Sequence, residues 1–522
     1  MKSKNPVIMM IALIVALGGL LMGFDASVIS GVVKFIEPEF NLSKLELGWS
    51  VASLTLTATL AMMFAGPISD RVGRRTVLRF AAILYAVSAV ASAVAPTFIF
   101  LVIARMIGGF GVGASLILAP MYIAEMAPPA IRGRLVSFNQ LNIVIGISLA
   151  FFTNYMILQF GKSDASWAIN LKFDEYNWRW MLGLEAVPAI LYFLGLFFVP
   201  TSPRWLILKG RYDEAAKVLG KYSSQEAAEN QVAEIKKAIE QEENKEEVSV
   251  KELLKPGLKL VLSIGIVVAV LQQITGINSV FFYAPMIFEQ SGIGTDASFI
   301  QAILVGITNL VFTILALLLI DKLGRKPLLA IGVSGMAICL FVLSYGFHSA
   351  SYKLLPENIS AMTIDIDKEA LNSIANQNYD SDLAFNAALE SVLPKEEVAK
   401  NRSEIIKAAI TMNPMLILVG ILGFVASFAM SIGPVMWVLF SELFPNRIRG
   451  IAISFVGLIN SAVSFIVQWI FPWELEAIGN AGTFMIYGIF AVIGLVFIVR
   501  VIPETKGKSL EELEAILVKS DT

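Results

Sequence analysis

Apolar residues run through this chain in long, nearly uninterrupted stretches, and polar residues collect in the short segments between them. Twelve stretches stand out, at about 7–33, 48–69, 76–96, 98–120, 135–160, 180–200, 258–290, 298–320, 327–347, 414–440, 449–473 and 479–501. A helix rises about 1.5 Å per residue and the hydrocarbon core of a bilayer is about 30 Å thick, so about 20 residues suffice to cross it. Each stretch therefore predicts a spanning helix. Basic residues gather at alternate ends: Arg71, Arg74, Arg75 and Arg79 between spans two and three, Arg132 and Arg134 between four and five. Lys322, Arg325 and Lys326 lie between eight and nine, and Arg447 and Arg449 between ten and eleven. These loops, and with them both termini, are expected on the cytoplasmic side.

The polar segments also repeat. DRVGRR (Asp70–Arg75) follows span two and DKLGRK (Asp321–Lys326) follows span eight; Glu125 to Arg132 follows span four, and Glu442 to Arg449 follows span ten at the same spacing. The first pair is offset by 251 residues and the second by 317, and the difference is absorbed by one polar insertion at about 348–412. A six-span unit used twice is a secondary-transporter architecture, with substrate expected near mid-membrane between the halves.

Composition agrees with this class. The chain is 56% hydrophobic and 16% charged, whereas about 25% charge is ordinary for a soluble domain. A net charge of −2 points to no charged partner, and nucleic acid is not expected. Cys339 is the one cysteine, which excludes an intrachain disulfide and a cysteine metal site. The opening MKSKNP and apolar run resemble a secretory signal, but the run is too long for one and is kept as the first span.

Charges at membrane depth are few. Asp25 lies within GGLLMGFDASVISG in span one, Arg105 in span four and Glu185 in span six. Counted from the predicted outer ends they sit roughly 12, 10 and 8 Å down, at similar depth. Intramembrane carboxylates are costly and usually mark an ion or proton pathway, although a structural role in holding helices together is the plainer reading. The glycines around Asp25 allow another helix or a ligand to come close. His348, the only histidine, falls at a span end, which leaves any proton work to the carboxylates.

A second group is uncharged: Gln272, Gln273 and Asn278 in span seven, Asn309 in span eight, Trp437 in span ten and Asn460 in span eleven. Amides donate and accept, which suits a neutral ligand bearing hydroxyls, and an indole adds a flat apolar face. Interhelical hydrogen bonding, at about 0.6 kcal/mol per contact, is the competing explanation and is sufficient for Asn309 alone. Gly276, Pro285, Gly433 and Pro434 predict broken helices in spans seven and ten. A third group, Asp70, Arg71, Arg74, Arg75, Glu125, Arg132, Asp321, Arg325, Glu442 and Arg449, fits a cytoplasmic gate of ion pairs between the helix ends of the two halves.

Taken in order, GFDASVISG, DRVGRR, RMIGGFGVGAS, PMYIAEMAPPAIRGRLVSFNQ, PTSPRWL, QQITGIN, DKLGRKP, GPVMWVLFSELFPNRIRG and PETKGKSLEEL resemble the sugar porter family of the major facilitator superfamily. Within it the chain is most similar to bacterial xylose–proton symporters, and only the insertion lies outside the likeness. The resemblance implies that Asp25 couples a proton, since facilitative animal glucose carriers have asparagine there. Three positions depart from the pattern: Ile147 stands where a sugar-binding glutamine is usual, Asn460 where the xylose symporters have glutamine, and Phe282 precedes Tyr283 after QQITGIN. A lost polar contact discriminates strongly between hydroxyl patterns, so these departures bear on which sugar fits.

Thr201–Lys259, with eleven basic and eleven acidic residues, predicts amphipathic cytoplasmic helices such as Glu226–Gln241, echoed by Ser509–Val518 after the last span. The insertion predicts a solvated cap with short helices near Lys368–Asn376 and Ala384–Val392; its Asp365-x-Asp367 pair lacks the glycine and terminal glutamate of a calcium loop. The expectation is an all-α membrane protein of twelve transmembrane helices in two six-helix halves, with short cytoplasmic helices. Its parts are 1–200 and 258–502 as the halves, 201–257 as a linker and 503–522 as a tail. The expected function is import of a neutral monosaccharide with a proton across the inner membrane by a monomer without cofactor. Uniport by the same fold is one alternative and a non-transporting sugar sensor another; no nucleophile–base pair suggests an enzyme.

Overall fold

The computed structural model describes residues 5–128, 131–221, 225–243, 250–364, 366–445, 447–508 and 512–513. All but residues 512–513 of the expected tail helix at Ser509–Val518, together with Asp365 and the Asp321 side chain, lie outside the described residues. Helices α1 (Asn5–Glu39), α2 (Lys44–Val72), α3 (Arg74–Ala93), α4 (Phe98–Met126) and α5 (Arg132–Phe160) supply the first five spans. After the short α6 (Ser166–Asn170) the sixth is made of two pieces, α7 (Asn177–Gly183) and α8 (Ala186–Gly195). The three linker helices are α9 (Pro203–Leu208), α10 (Tyr212–Gly220) and α11 (Gln225–Glu243). The second repeat runs through α12 (Lys259–Ile274), α13 (Ile277–Glu289), α14 (Thr295–Leu323) and α15 (Arg325–His348). The insertion then contributes β1 (Ser351–Tyr352), α16 (Pro356–Ala361), α17 (Lys368–Ser373), α18 (Asp382–Val392), α19 (Lys395–Ala409) and β2 (Ile410–Thr411). The chain closes with α20 (Pro414–Met430), α21 (Ile432–Leu443), α22 (Arg449–Ala477) and α23 (Gly479–Val501).

Among the described residues, eleven helical segments are long and apolar enough to cross a membrane. The sixth expected span is interrupted at Leu184–Glu185 instead of running through 180–200. Pro188 accounts for this, because it has no N–H to offer the carbonyl four residues back, at Leu184. The same effect separates α20 from α21, where Pro434 has no N–H for the Met430 carbonyl and Ser431 takes φ −126° and ψ −101°. Span seven breaks at Gly276, whose φ of 84° is one that side-chain-bearing residues rarely adopt. The two repeated motifs turn on equivalent glycines, Gly73 (φ 95°) between α2 and α3 and Gly324 (φ 92°) between α14 and α15.

The chain gathers into two compact units. The first comprises 1–26, 53–150 and 179–248, and the second 27–52, 151–178 and 249–522. Within the first, a Cβ on Gly23 would collide with the Ile143 carbonyl and one on Gly146 with that of Leu20, so α1 and α5 touch backbone to backbone. The linker helices share a small core of Leu206, Ile207, Ala215 and Ile239. Within the second unit the insertion is more than the solvated cap its composition suggests: Tyr352, Leu354, Leu371, Phe385, Leu389 and Ile405 form a buried core. Its two ends are joined by an antiparallel pair, Ser351 opposite Thr411 and Tyr352 opposite Ile410. It is fastened to α23 by Asp382, whose Oδ2 accepts from the backbone N–H of Asn480 at 2.8 Å and from its Nδ2 at 2.7 Å.

Candidate functional site

Three polar clusters interrupt the apolar packing. The first belongs to the first unit. Asp25 on α1 places Oδ1 3.5 Å from Nη1 of Arg105 on α4, with both side chains 2% exposed. Glu185, at the break between α7 and α8, is buried and interacts electrostatically with both. Among the described residues Asp25 Oδ2 and Glu185 Oε1 have no hydrogen-bond partner, and the buried hydroxyls of Tyr85 and Tyr192 gather around that of Ser115. Gly108 makes room for the carboxylate, since a Cβ there would stand 2.9 Å from Asp25 Oδ2. The sequence reading missed the hydroxyls around these charges; Tyr85 and Ser88, three apart on one face of α3, were the available signal. A buried, incompletely bonded carboxylate facing a guanidinium is suited to taking up and releasing a proton as its surroundings change.

The second cluster belongs to the second unit and is built around the break in span seven. Gln273 Nε2 donates to Asn460 Oδ1 (3.2 Å) and to Gln272 Oε1 (3.1 Å), while Asn460 Nδ2 donates to Gln272 Oε1 (2.8 Å). Across the break, Asn278 Nδ2 donates to Gln273 Oε1 at 2.8 Å and to Ser464 Oγ at 2.7 Å. Gln272 Nε2 reaches the Ile432 and Gly433 carbonyls, both at 3.3 Å, at the start of α21. Ser464 continues the network to Gln468, and Tyr283 Oη donates to the Gln468 carbonyl at 3.0 Å. Ser464 and Gln468 were missed, yet Asn460, Ser464 and Gln468 are four apart and form one polar stripe on α22. Asn309 is buried on α14 but shares none of these bonds, and Trp437 on α21 is 48% exposed beside Phe440 and outside the network.

The third cluster occurs once in each unit. In the first, Arg74 pairs with Asp70 (2.5 Å) and Glu125 (3.1 Å), and Ser202 Oγ donates to Glu125. In the second, Arg325 forks onto Glu442 through Nε (3.1 Å) and Nη2 (2.7 Å), and Thr505 Oγ1 donates to the same carboxylate at 2.6 Å. Ser202 and Thr505 extend the repeat, for PTS and PET stand at matching places after the sixth and twelfth spans. Of the adjacent arginines, Arg74 is the one turned inward, while Arg75 donates to the Val199 carbonyl at 2.9 Å. Arg449 bonds the Phe444 carbonyl at 3.1 Å rather than a carboxylate. Arg71 and Arg132 are exposed and take no part in these contacts. Each pair described closes within its own unit.

A multi-span helical protein in which a six-span unit occurs twice, with buried polar clusters of this kind, is a membrane transporter. A family model described as "Sugar (and other) transporter" matches residues 11–364 and 400–517, passing over the middle of the insertion. The arabinose–proton symporter of Bacillus subtilis (strain 168) is 34% identical over 516 residues, 98% of this chain and 95% of that protein. The D-xylose–proton symporter of Escherichia coli (strain K12) is 36% identical over 539 residues, 97% of this chain and 95% of that one. Among solved structures, the inward-open conformation of the xylose transporter XylE from E. coli matches with a TM-score of 0.74 at 34% identity, covering 98% of this chain and 100% of that one. The chain belongs to the sugar transporter family: it is a multi-pass membrane protein with the twelve-helix, two-half major facilitator fold, and not an enzyme.

Proposed function

We propose that this protein imports a neutral monosaccharide, a pentose or hexose with the xylose type favoured, together with a proton by alternating access. The observation that carries the coupling is the buried Asp25–Arg105 pair, whose second carboxylate oxygen has no bond to hold it ionised. The network of Gln272, Gln273, Asn278 and Asn460 supplies donors and acceptors without net charge, as a neutral polyol requires. Two relatives are named for arabinose and xylose carried with a proton, which supports the same pairing here. In this reading 1–200 and 258–502 act as the two halves, both termini and the clusters of Arg74 and Arg325 are cytoplasmic, and those ion pairs, one set in each half, hold the helix ends that border the inner gate. Trp437 and Asn309 border the sugar path, and the protein works as a monomer.

The test is proton movement driven by sugar alone. Purified protein in liposomes with a pH dye outside receives D-xylose, L-arabinose or D-glucose, and the transported sugar alkalinises the medium. Labelled sugar that equilibrates across the membrane while external pH stays flat identifies a uniporter and overturns the coupling.

A further inference from the structure

The break in span seven separates two amides, Gln273 and Asn278, that meet at 2.8 Å. Gln273 is one turn before Gly276 and Asn278 two residues after it, and the left-handed glycine interrupts the regular helical hydrogen bonding between them. The Tyr487 ring of α23 fills this place: a Cβ on Gly276 would collide with it. The ring is 3% exposed and stacks on Phe471 at 6.4 Å and 23°; Phe471 in turn lies 5.2 Å from Tyr283. The phenol Oη donates to Glu474 Oε2 at 2.6 Å.

Glu474 has no other account. It sits in the last turn of α22, which ends at Ala477, where the helix dipole disfavours a negative charge. It is half-buried at that helix end, against the Tyr487 phenol. A hydrogen bond from a neutral donor to a carboxylate is shorter and stronger than one between neutral groups. A ring with two torsions, anchored at its far end, is a rigid brace.

We infer that Glu474 and Tyr487 are positioning residues for sugar recognition: the carboxylate holds the phenol, the ring braces Gly276, and the brace sets Asn278 against Gln273. The inference rests on the reading of the amide network as the sugar site. Neither residue touches the sugar.

The test measures equilibrium binding by the purified full-length protein of whichever of D-xylose, L-arabinose and D-glucose the wild type binds most tightly. Gln273→Ala weakens binding by about tenfold, and Tyr487→Phe and Glu474→Ala each by about threefold to tenfold, the range of one hydrogen bond. Glu474→Gln recovers most of the loss, because its amide oxygen still accepts from the phenol. The double variant Gln273→Ala/Tyr487→Phe binds within about twofold of Gln273→Ala alone, since the brace has no amide pair left to align. Wild-type affinity in Tyr487→Phe, or effects that multiply in the double variant, overturns the positioning role and leaves the sugar site standing. Wild-type affinity in Gln273→Ala, or no sugar bound by the wild type, overturns the site itself. Thermal melting accompanies each variant, and if Glu474→Ala does not fold, Tyr487→Phe, which keeps the ring, decides the question.

Discussion

Replacing Asp25 with asparagine removes one proton-binding group while keeping the side-chain shape in the space that Gly108 leaves for it. Uphill transport depends on that group in the proposed mechanism. A membrane potential of 100 mV supplies about 2.3 kcal/mol per charge, and about 1.36 kcal/mol corresponds to a factor of ten. One proton per sugar at that potential therefore supports roughly fiftyfold accumulation. Asp25→Asn reduces this to no accumulation, while exchange of labelled for unlabelled sugar continues, because exchange needs no net proton movement. Stability also changes. Taking one partner from a buried ion pair costs about 3–5 kcal/mol when the other charge is stranded. Here the asparagine oxygen still accepts a hydrogen bond and Glu185 still interacts with Arg105, so the loss falls at or below the low end of that range. The assay compares gradient-driven uptake, counterflow exchange and melting temperature on one preparation. A folded Asp25→Asn protein that still concentrates sugar refutes Asp25 as the carrier and turns attention to Glu185→Gln. A folded variant that loses exchange as well refutes the separation of coupling from translocation.

Ile147→Gln restores an amide to α5 and changes the order of preference among pentoses and hexoses in competition assays while expression stays level; an unchanged order shows that this position does not meet the sugar. Glu442→Gln loses the fork with Arg325 at 2.7 and 3.1 Å and weakens the acceptor of Thr505, lowering stability by about 1–3 kcal/mol in denaturation, whereas Arg132→Ala, exposed and outside the pairs, changes it by less than about 0.5 kcal/mol. Asp382→Ala removes both bonds to Asn480 and the negative charge at the start of α23, which costs about 1–2 kcal/mol and exposes the insertion to limited proteolysis before the membrane helices.

The spans were legible because lipid demands long apolar runs, and the breaks at Gly276 and before Pro434 because glycine weakens a helix and proline removes one of its hydrogen bonds. The break at Glu185 was not, since a proline early in an apolar run bends some helices and divides others. The charge at Asp25 stood out against its surroundings, but the hydroxyls of Tyr85, Ser115 and Tyr192 did not, for tyrosine and serine are ordinary in a membrane helix until their neighbours are known. Which of two adjacent arginines turns inward depends on helix phase, and this placed Arg74 rather than Arg75 against Glu125. Tyr487 and Gly276 lie 211 residues apart, and no local pattern announces a ring resting on a glycine. The core of the insertion was hidden by charge, its Leu371, Phe385 and Leu389 scattered among acidic residues.

The strand pair that ties Ser351 to Thr411 makes the insertion a cartridge. Chain leaves and re-enters the helical body at neighbouring residues, about 5 Å apart in a paired ladder, so a replacement gives up the Asp382 bonds to Asn480 but keeps its two ends where the body needs them. Lengthening a closed loop costs only about 0.6 kcal/mol per doubling. The port at 351 and 411 therefore accepts another self-contained module with adjacent ends, such as a fluorescent reporter or an affinity handle, displayed beside a working transporter.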